Sequence, residues 1–158
     1  MLSRTALGVF RLNGQFLSVS EELARPAGLT AARWQVLGAV LSEPLPVAAI
    51  ARVMGITRQS VQRVADLLVA EGLAEYRPNP AHRRAKLLAP TEQGREAVRR
   101  IVPGHQALAE QLSEALGGEA EFHRVMAAVE ELSGALDALA ERRQPDQDGA
   151  AAAGSGPP

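Results

Sequence analysis

The sequence predicts a mainly helical protein with one small β-hairpin, and three observations carry that expectation. Aromatic residues make up only 3% of the 158, so any core is built from Leu, Val and Ala, which suits helices better than sheets. Most of the chain spaces its apolar residues three or four apart, as one face of a helix requires. The block from Ala48 to Thr91 departs from this, running as two short helical patterns, a glycine stop and a basic hairpin. That order of parts is what a winged helix-turn-helix needs to hold one helix in a DNA major groove and a loop on the backbone beside it.

Taken in order, Arg4 to Leu23 is continuously compatible with helix, with Leu7, Phe10, Leu17 and Leu23 near one face and Pro26 as its end. Gly28-Leu29-Thr30 reads as a turn, and Thr30 as the N-cap of a helix over Ala31 to Leu41. Ser42-Glu43-Pro44-Leu45-Pro46 breaks that helix, since proline lacks an N–H and restricts the residue before it. A short extended piece fits Leu45 to Val47. Val47, Ile50, Ala51 and Met54 then resume helical spacing, with Gly55 where a helix-ending glycine belongs. Thr57 is the N-cap expected for a helix to about Ala70, which Gly72 stops.

Leu73 to Arg77 and Ala85 to Leu88 read as two strands joined by a tip from Pro78 to Arg84. Both of the tip's prolines avoid positions where they would cost a ladder bond. Thr91 is the N-cap expected for one long helix over Glu92 to Leu116. Gly117-Gly118 separates it from another over Glu119 to Arg143. The last fifteen residues, 144–158, hold no large apolar side chain and read as a disordered tail.

Net charge is −1, but it is unevenly divided. From Arg52 to Lys86 seven basic residues face three acidic ones, whereas from Gly104 to Asp148 ten acidic residues face three basic ones. Such asymmetry points to an anion-binding patch in the middle of the chain. Surface charge scattered without purpose gives the same count, and counting does not separate the two. There is no cysteine, which excludes a disulfide framework, a thiolate metal site and thiol redox sensing. No signal peptide and no membrane-length apolar run is legible, so the default expectation is a cytoplasmic protein with no membrane partner.

On a helical wheel, Val61, Val64, Ala65 and Leu68 share one side of the Thr57–Ala70 helix. Gln59, Gln62, Arg63 and Asp66 share the other. Gln and Arg are the side chains that bond bidentately to adenine or guanine edges, so Gln59, Gln62 and Arg63 are the candidate base readers. Arg58 and Ser60 flank them near the helix N-terminus, where backbone N–H groups also favour a phosphate. Asp66, two turns on, is poorly placed against phosphates, so only the first two turns are expected to enter a groove. Taken alone, this helix is equally well read as a solvated surface. The hairpin tip favours DNA, because His82, Arg83 and Arg84, followed by Lys86, serve no core and suit phosphates or a narrow minor groove.

At this point the sequence resembles a known family. Thr30-Ala-Ala-Arg-Trp34-Gln35-Val36-Leu37, Thr57-Arg-Gln-Ser-Val-Gln-Arg63, Glu71-Gly72-Leu73, the basic tip and Thr91-Glu-Gln-Gly94 occur in the order and spacing of the MarR family of bacterial regulators. The resemblance runs from about residue 4 to 143. It implies a homodimer of winged helix-turn-helix subunits on a pseudo-palindromic double-stranded DNA operator, more often a repressor, released by a small-molecule effector. Residues 1–29 and 92–143 would then form a helical dimerisation region, and residues 30–91 the DNA-binding domain. The family's wing tip usually reads Asp-x-Arg-Asp-x-Arg. Here Asn79, Ala81, His82 and Arg84 stand at its four fixed places, so the first arginine is absent and the second is kept as Arg84. Arg83 taking over in the minor groove and a wing that holds phosphate alone both remain open. Pro90 stands where a leucine is common, which stiffens the exit from the wing.

Other chemistry has less support. His82, His105 and His123 are far apart with no helical ligand spacing, so no metal is nominated, and His105 and His123 are expected at a surface or interface. Glu21-Glu22 and Glu130-Glu131 are adjacent and point to different helix sides, which makes poor acid–base pairs. No Gly-rich phosphate loop or Gly-x-Ser-x-Gly elbow occurs, so no catalytic residue, no cofactor and no enzyme are expected. Trp34 suits the floor of an aromatic effector site, but a lone Trp is expected in the core. The competing reading to a DNA-binding regulator is a winged-helix interaction module that no longer binds DNA. The altered wing tip favours it, and the Gln/Arg face argues against it.

Overall fold

The computed structural model describes residues 1–82 and 84–143; Arg83 and the tail expected over 144–158 lie outside the described residues. The elements are α1 (Leu2–Ala24), a 3-10 turn (Arg25–Ala27), α2 (Ala31–Ala39), β1 (Leu45–Pro46), α3 (Val47–Met54) and α4 (Arg58–Ala70), then β2 (Ala74–Arg77), β3 (Leu87–Pro90), α5 (Glu92–Arg99), α6 (Val102–Leu116) and α7 (Glu119–Arg143). This is the mainly helical winged-helix class read from the sequence. By its internal contacts the chain divides into two units, Met1–Gln106 and Ala107–Pro158.

The first unit is built around one apolar cluster. Val36, Leu37 and Val40 of the α2 region meet Ile50 of α3, Val61, Ala65 and Leu68 of α4, and Leu88 of β3, with Ala97 and Val98 of α5 completing it. No buried residue among those described is polar or charged, so nothing in this core requires a buried partner. Local chemistry sets the ends of the helices around it. Thr30, Thr57 and Thr91 each accept a backbone N–H from the third residue on, which caps α2, α4 and α5 as expected. Gly55 closes α3 at φ +64°, a left-handed conformation that a side chain would strain.

The sheet is larger than a hairpin. Its order is β1-β3-β2, all antiparallel, with Leu88 opposite both Leu45 and Tyr76. The expected strand Ala85–Leu88 is in fact Leu87–Pro90, shifted by two residues. The tip closes by two successive turns, His82 N–H to Asn79 O and Ala85 N–H to His82 O, which keep Ala85 and Lys86 out of the ladder. Pro90 is buried at the far end of β3, opposite Ala74.

The long helix expected over Glu92–Leu116 is two helices. Pro103 has no N–H to give the carbonyl of Arg99, and its ring crowds that carbonyl, so α5 stops there. Ile101 N–H turns instead to Val98 O at 2.9 Å, and its side chain is buried in the cluster. Two close approaches fix the start of α5. Thr91 donates its hydroxyl to Gly72 O at 2.6 Å, and a Cβ on Gly94 would lie 1.9 Å from Leu73 O. Glycine at 94 is what lets the helix reach the loop.

In the second unit, Gly117 and Gly118 take φ of +100° and +114° between α6 and α7. Val125, Met126, Val129, Leu132, Leu136 and Leu139 of α7 are all exposed. In the first unit, Leu7, Phe10, Phe16 and Leu17 of α1 are likewise exposed. Among the described residues no helix is long and apolar enough to cross a membrane.

Candidate nucleic-acid interface

Helix α4 carries the candidate base readers, and its sequence explains why they face outward. Val61, Ala65 and Leu68 are completely buried, which turns Gln59, Arg63 and Asp66 to solvent and leaves Gln62 half-buried. At the helix start, Thr57 Oγ1 accepts the Ser60 N–H at 3.2 Å and also lies 2.8 Å from Ser60 Oγ. The Ser60 hydroxyl is therefore already engaged within the capping turn. Arg58, Gln59, Ser60, Gln62, Arg63 and Asp66 together line one open groove along the helix.

The wing meets this helix on one side. A cleft of about 280 Å³ is lined by Arg58 and Gln62 of α4, by Tyr76 of β2 and by Arg84 and Lys86 of the tip, with Pro46, Val47 and Ala48 behind them. The fold thus gathers four of the predicted site residues from opposite ends of the block into one concave surface. Gln59, Ser60 and Arg63 line the outer groove instead, and His82 lines neither. His82, Arg84 and Lys86 are exposed. The predicted Arg83 lies outside the described residues. Asn79 shapes the tip by accepting the Ala81 N–H at 3.0 Å through Oδ1, a turn that aspartate at this position would also make.

Two residues of the site were not among the predicted ones. Tyr76 donates its hydroxyl to Asp66 Oδ1 at 2.7 Å, while Gln62 Nε2 donates to the same oxygen at 2.8 Å and to Tyr76 Oη at 2.7 Å. Burial and then the Asp66 carboxylate push the Tyr76 hydroxyl from its ordinary 10.0 up to about 12, so it stays a donor throughout the physiological range. Lys86 Nζ lies 5.8 Å from the Tyr76 ring centroid, within cation–π reach. The Gln62–Asp66 pair has the i,i+4 spacing that places two side chains on one helix face, a signal visible in the sequence. Tyr76, ten residues beyond Asp66, is brought in by the sheet.

Elsewhere in the first unit, Trp34 is half-buried and meets His105 edge-on at 5.7 Å between ring centroids. It packs against the core, yet it also lines a cavity of about 190 Å³ with Val98, Ile101, Val102 and His105. His123, in the second unit, sits 2.9 Å from Glu119 O through Nδ1. Among the described residues no three His, Asp or Glu side chains gather closely enough to hold a metal ion.

Comparison with known proteins places this geometry. The MarR family profile matches residues 27–85. An uncharacterised protein of Mycobacterium tuberculosis is 46% identical over 100 residues, covering 63% of this chain and 70% of its own. A MarR family transcriptional regulator from Streptomyces coelicolor superposes with a TM-score of 0.70 at 26% identity, over 87% of this chain and 96% of its own. A mutant MarR from Escherichia coli complexed with operator DNA gives a TM-score of 0.71 at 20% identity, over 80% of this chain and 91% of its own.

Proposed function

This chain belongs to the MarR family, and we propose that it is a sequence-specific DNA-binding transcriptional regulator that acts as a homodimer. The observation that carries the reading is the shared surface of α4 and the wing, where Arg58, Gln62, Arg84 and Lys86 line one cleft beside the groove of Gln59 and Arg63. In this reading Gln59, Gln62 and Arg63 contact base edges. Arg58, Ser60, His82, Arg83, Arg84 and Lys86 hold the phosphate backbone. The E. coli relative on operator DNA supports the same use of the fold.

The homodimer reading rests on the exposed apolar residues of α1 and of α7, because a monomer rarely leaves so many in water. Two recognition helices in such a dimer would sit about 34 Å apart, one turn of DNA. We further propose that the protein is a cytoplasmic repressor. Its release would follow when a small-molecule effector favours a different spacing of the two heads. The cavity at Trp34 and His105 supports an effector about the size of a single aromatic ring.

Gel-shift titration on the chain's own upstream region, at two salt concentrations, tests the reading. Arg84→Ala should weaken binding to every duplex alike and lower the salt slope by about one. Gln59→Ala or Arg63→Ala should instead relax sequence preference. No shift on any duplex at low salt would leave the protein a winged-helix interaction module.

A further inference from the structure

We propose that Glu21 is a positioning residue: by holding the first N–H of α2, its carboxylate fixes the angle at which α1 leaves the DNA-binding head. It thereby sets the half-site spacing that the dimer accepts in an operator. The inference rests on the DNA-binding and homodimer readings above.

Helix α1 runs to Ala24, and the chain then turns back through Arg25–Ala27 into α2. Two backbone bonds close this turn, Gly28 N–H to Arg25 O at 3.0 Å and Leu29 N–H to Ala24 O at 3.1 Å. Both are local, and they fix where the chain goes rather than how steeply α1 stands against α2. Leu23 and Ala24 add apolar contact with the core, which has no direction of its own. Glu21 supplies the direction. Its Oε2 accepts the Ala31 N–H at 2.7 Å, ten residues on, and the side chain is half-buried. The ionised acceptor makes this a strong bond, and the carboxylate also faces the positive end of the α2 dipole. Thr30 takes the Arg33 N–H at 3.3 Å, which leaves the Ala31 N–H to Glu21.

The other side of α1 is held as well. Leu23, two residues on from Glu21, points nearly the opposite way on a helix. There a Cβ on Gly104 would lie 2.9 Å from Leu23 Cδ2, so the start of α6 abuts α1. The end of α1 is thus gripped between the start of α2 and the start of α6. Trp34, one turn along α2 from Ala31, meets His105 beside Gly104, so a bound effector at that pair would reach the same joint. Beyond the grip, Leu7, Phe10, Phe16 and Leu17 are exposed, the surface assigned to the second copy. At a rise of about 1.5 Å per residue, Leu7 lies about 21 Å along the helix from Glu21. A tilt of about 10° at Glu21 then shifts one end against the other by about 4 Å, roughly the 3.4 Å rise of one base pair. One side-chain bond therefore governs whether the heads meet half-sites one base pair nearer or farther.

Selection of duplexes from a randomised pool with the full chain gives the operator. Gel-shift titration of that operator with its spacer lengthened or shortened by one base pair tests the proposal. The wild type should lose about tenfold on either change, the scale of one charge-assisted bond broken. Glu21→Ala should lose only about twofold, and should bind a lone half-site as tightly as the wild type does. Glu21→Gln keeps an acceptor oxygen at the same reach and should restore most of the penalty. Glu22→Ala removes the neighbouring exposed carboxylate and should leave the penalty as in the wild type. Melting curves establish that each variant is folded, and Glu21→Asp, too short for the Ala31 N–H, carries the comparison if Glu21→Ala is not. A full penalty kept by Glu21→Ala would overturn the proposal. Equal weakening on half-site and operator would also overturn it, since Glu21 would then only stabilise the head. Broadened spacing in Glu22→Ala would do the same, by making general charge the cause. A wild type indifferent to spacing overturns it too, and if that protein sediments as a monomer the homodimer reading fails. If no duplex is enriched at low salt, the DNA-binding reading fails, and this inference with it.

Discussion

Helices α4 and α7 have the same kind of sequence, with apolar residues three and four apart and polar ones between, yet they end in opposite environments. On α4 the stripe of Val61, Ala65 and Leu68 has no exposure at all, and its polar face is held in place by Thr57, Asp66 and Tyr76. On α7, Val129 keeps 53% of its surface exposed and Leu136 57%. Periodicity therefore says which side of a helix wants covering, but not whether the cover comes from the same chain. The covered helix presents a fixed chemical face, and the uncovered one presents a surface that suits a second copy.

Breaking the α7 stripe should have the largest effect. Val129→Glu with Leu136→Glu would place two charges in the proposed dimer contact and weaken association by roughly 4 kcal/mol, about a thousandfold. Sedimentation equilibrium reads this directly, and circular dichroism should show the helix content retained. Unchanged self-association would place the dimer contact elsewhere.

Breaking the covered side is expected to cost slightly less, and to appear as stability rather than assembly. Gly94→Ala forces a methyl group toward Leu73 O, which cannot yield without moving the loop that follows α4. Denaturant unfolding should show a loss of about 3 kcal/mol. A loss below about 1 kcal/mol would mean that α5 shifts freely along that loop.

The smallest effect sharpens the comparison at the polar face of α4. Tyr76 is the only tyrosine, so its phenolate absorbance titrates one site. In the folded protein it should ionise well above pH 10, towards 12, and Asp66→Asn should bring the midpoint down. Because the folded value lies above the unfolded one, the protonated hydroxyl favours the native state fully below pH 10. That contribution is lost as the pH climbs towards 12. A midpoint near 10 in the wild type would mean the ring of hydrogen bonds is open in solution.

The features legible in the sequence were those decided within a few residues. Thr30, Thr57 and Thr91 cap because a hydroxyl needs only the next turn, and Gly55 stops α3 for an equally local reason. The outward face of α4 followed from its period. Pro103 was also legible as a helix breaker, but the apolar spacing on either side of it masked the signal. The two-residue shift of β3 was not readable, because its pairing with Leu45 and Pro46 joins distant parts of the chain. Nor was the clash that makes Gly94 a glycine. At the candidate site the residue types were legible and their coupling was not. Gln62 and Tyr76 are fourteen residues apart, and only the folded sheet makes them neighbours.

The bond from Thr91 to Gly72 O spans nineteen residues and closes the wing at its base. The two strands between those residues are anchored in the core through Leu73, Ala74 and Leu88, whereas Pro78, Pro80, Ala81, His82 and Arg84 of the tip are exposed. Substitutions among residues 78–86 can change reach and charge without disturbing the mount. In the proposed DNA-binding reading, substitutions at the outer tip would retune contact with the backbone, whereas changes at Arg84 or Lys86 would also be felt by Arg58 and Gln62 of α4 across their shared cleft.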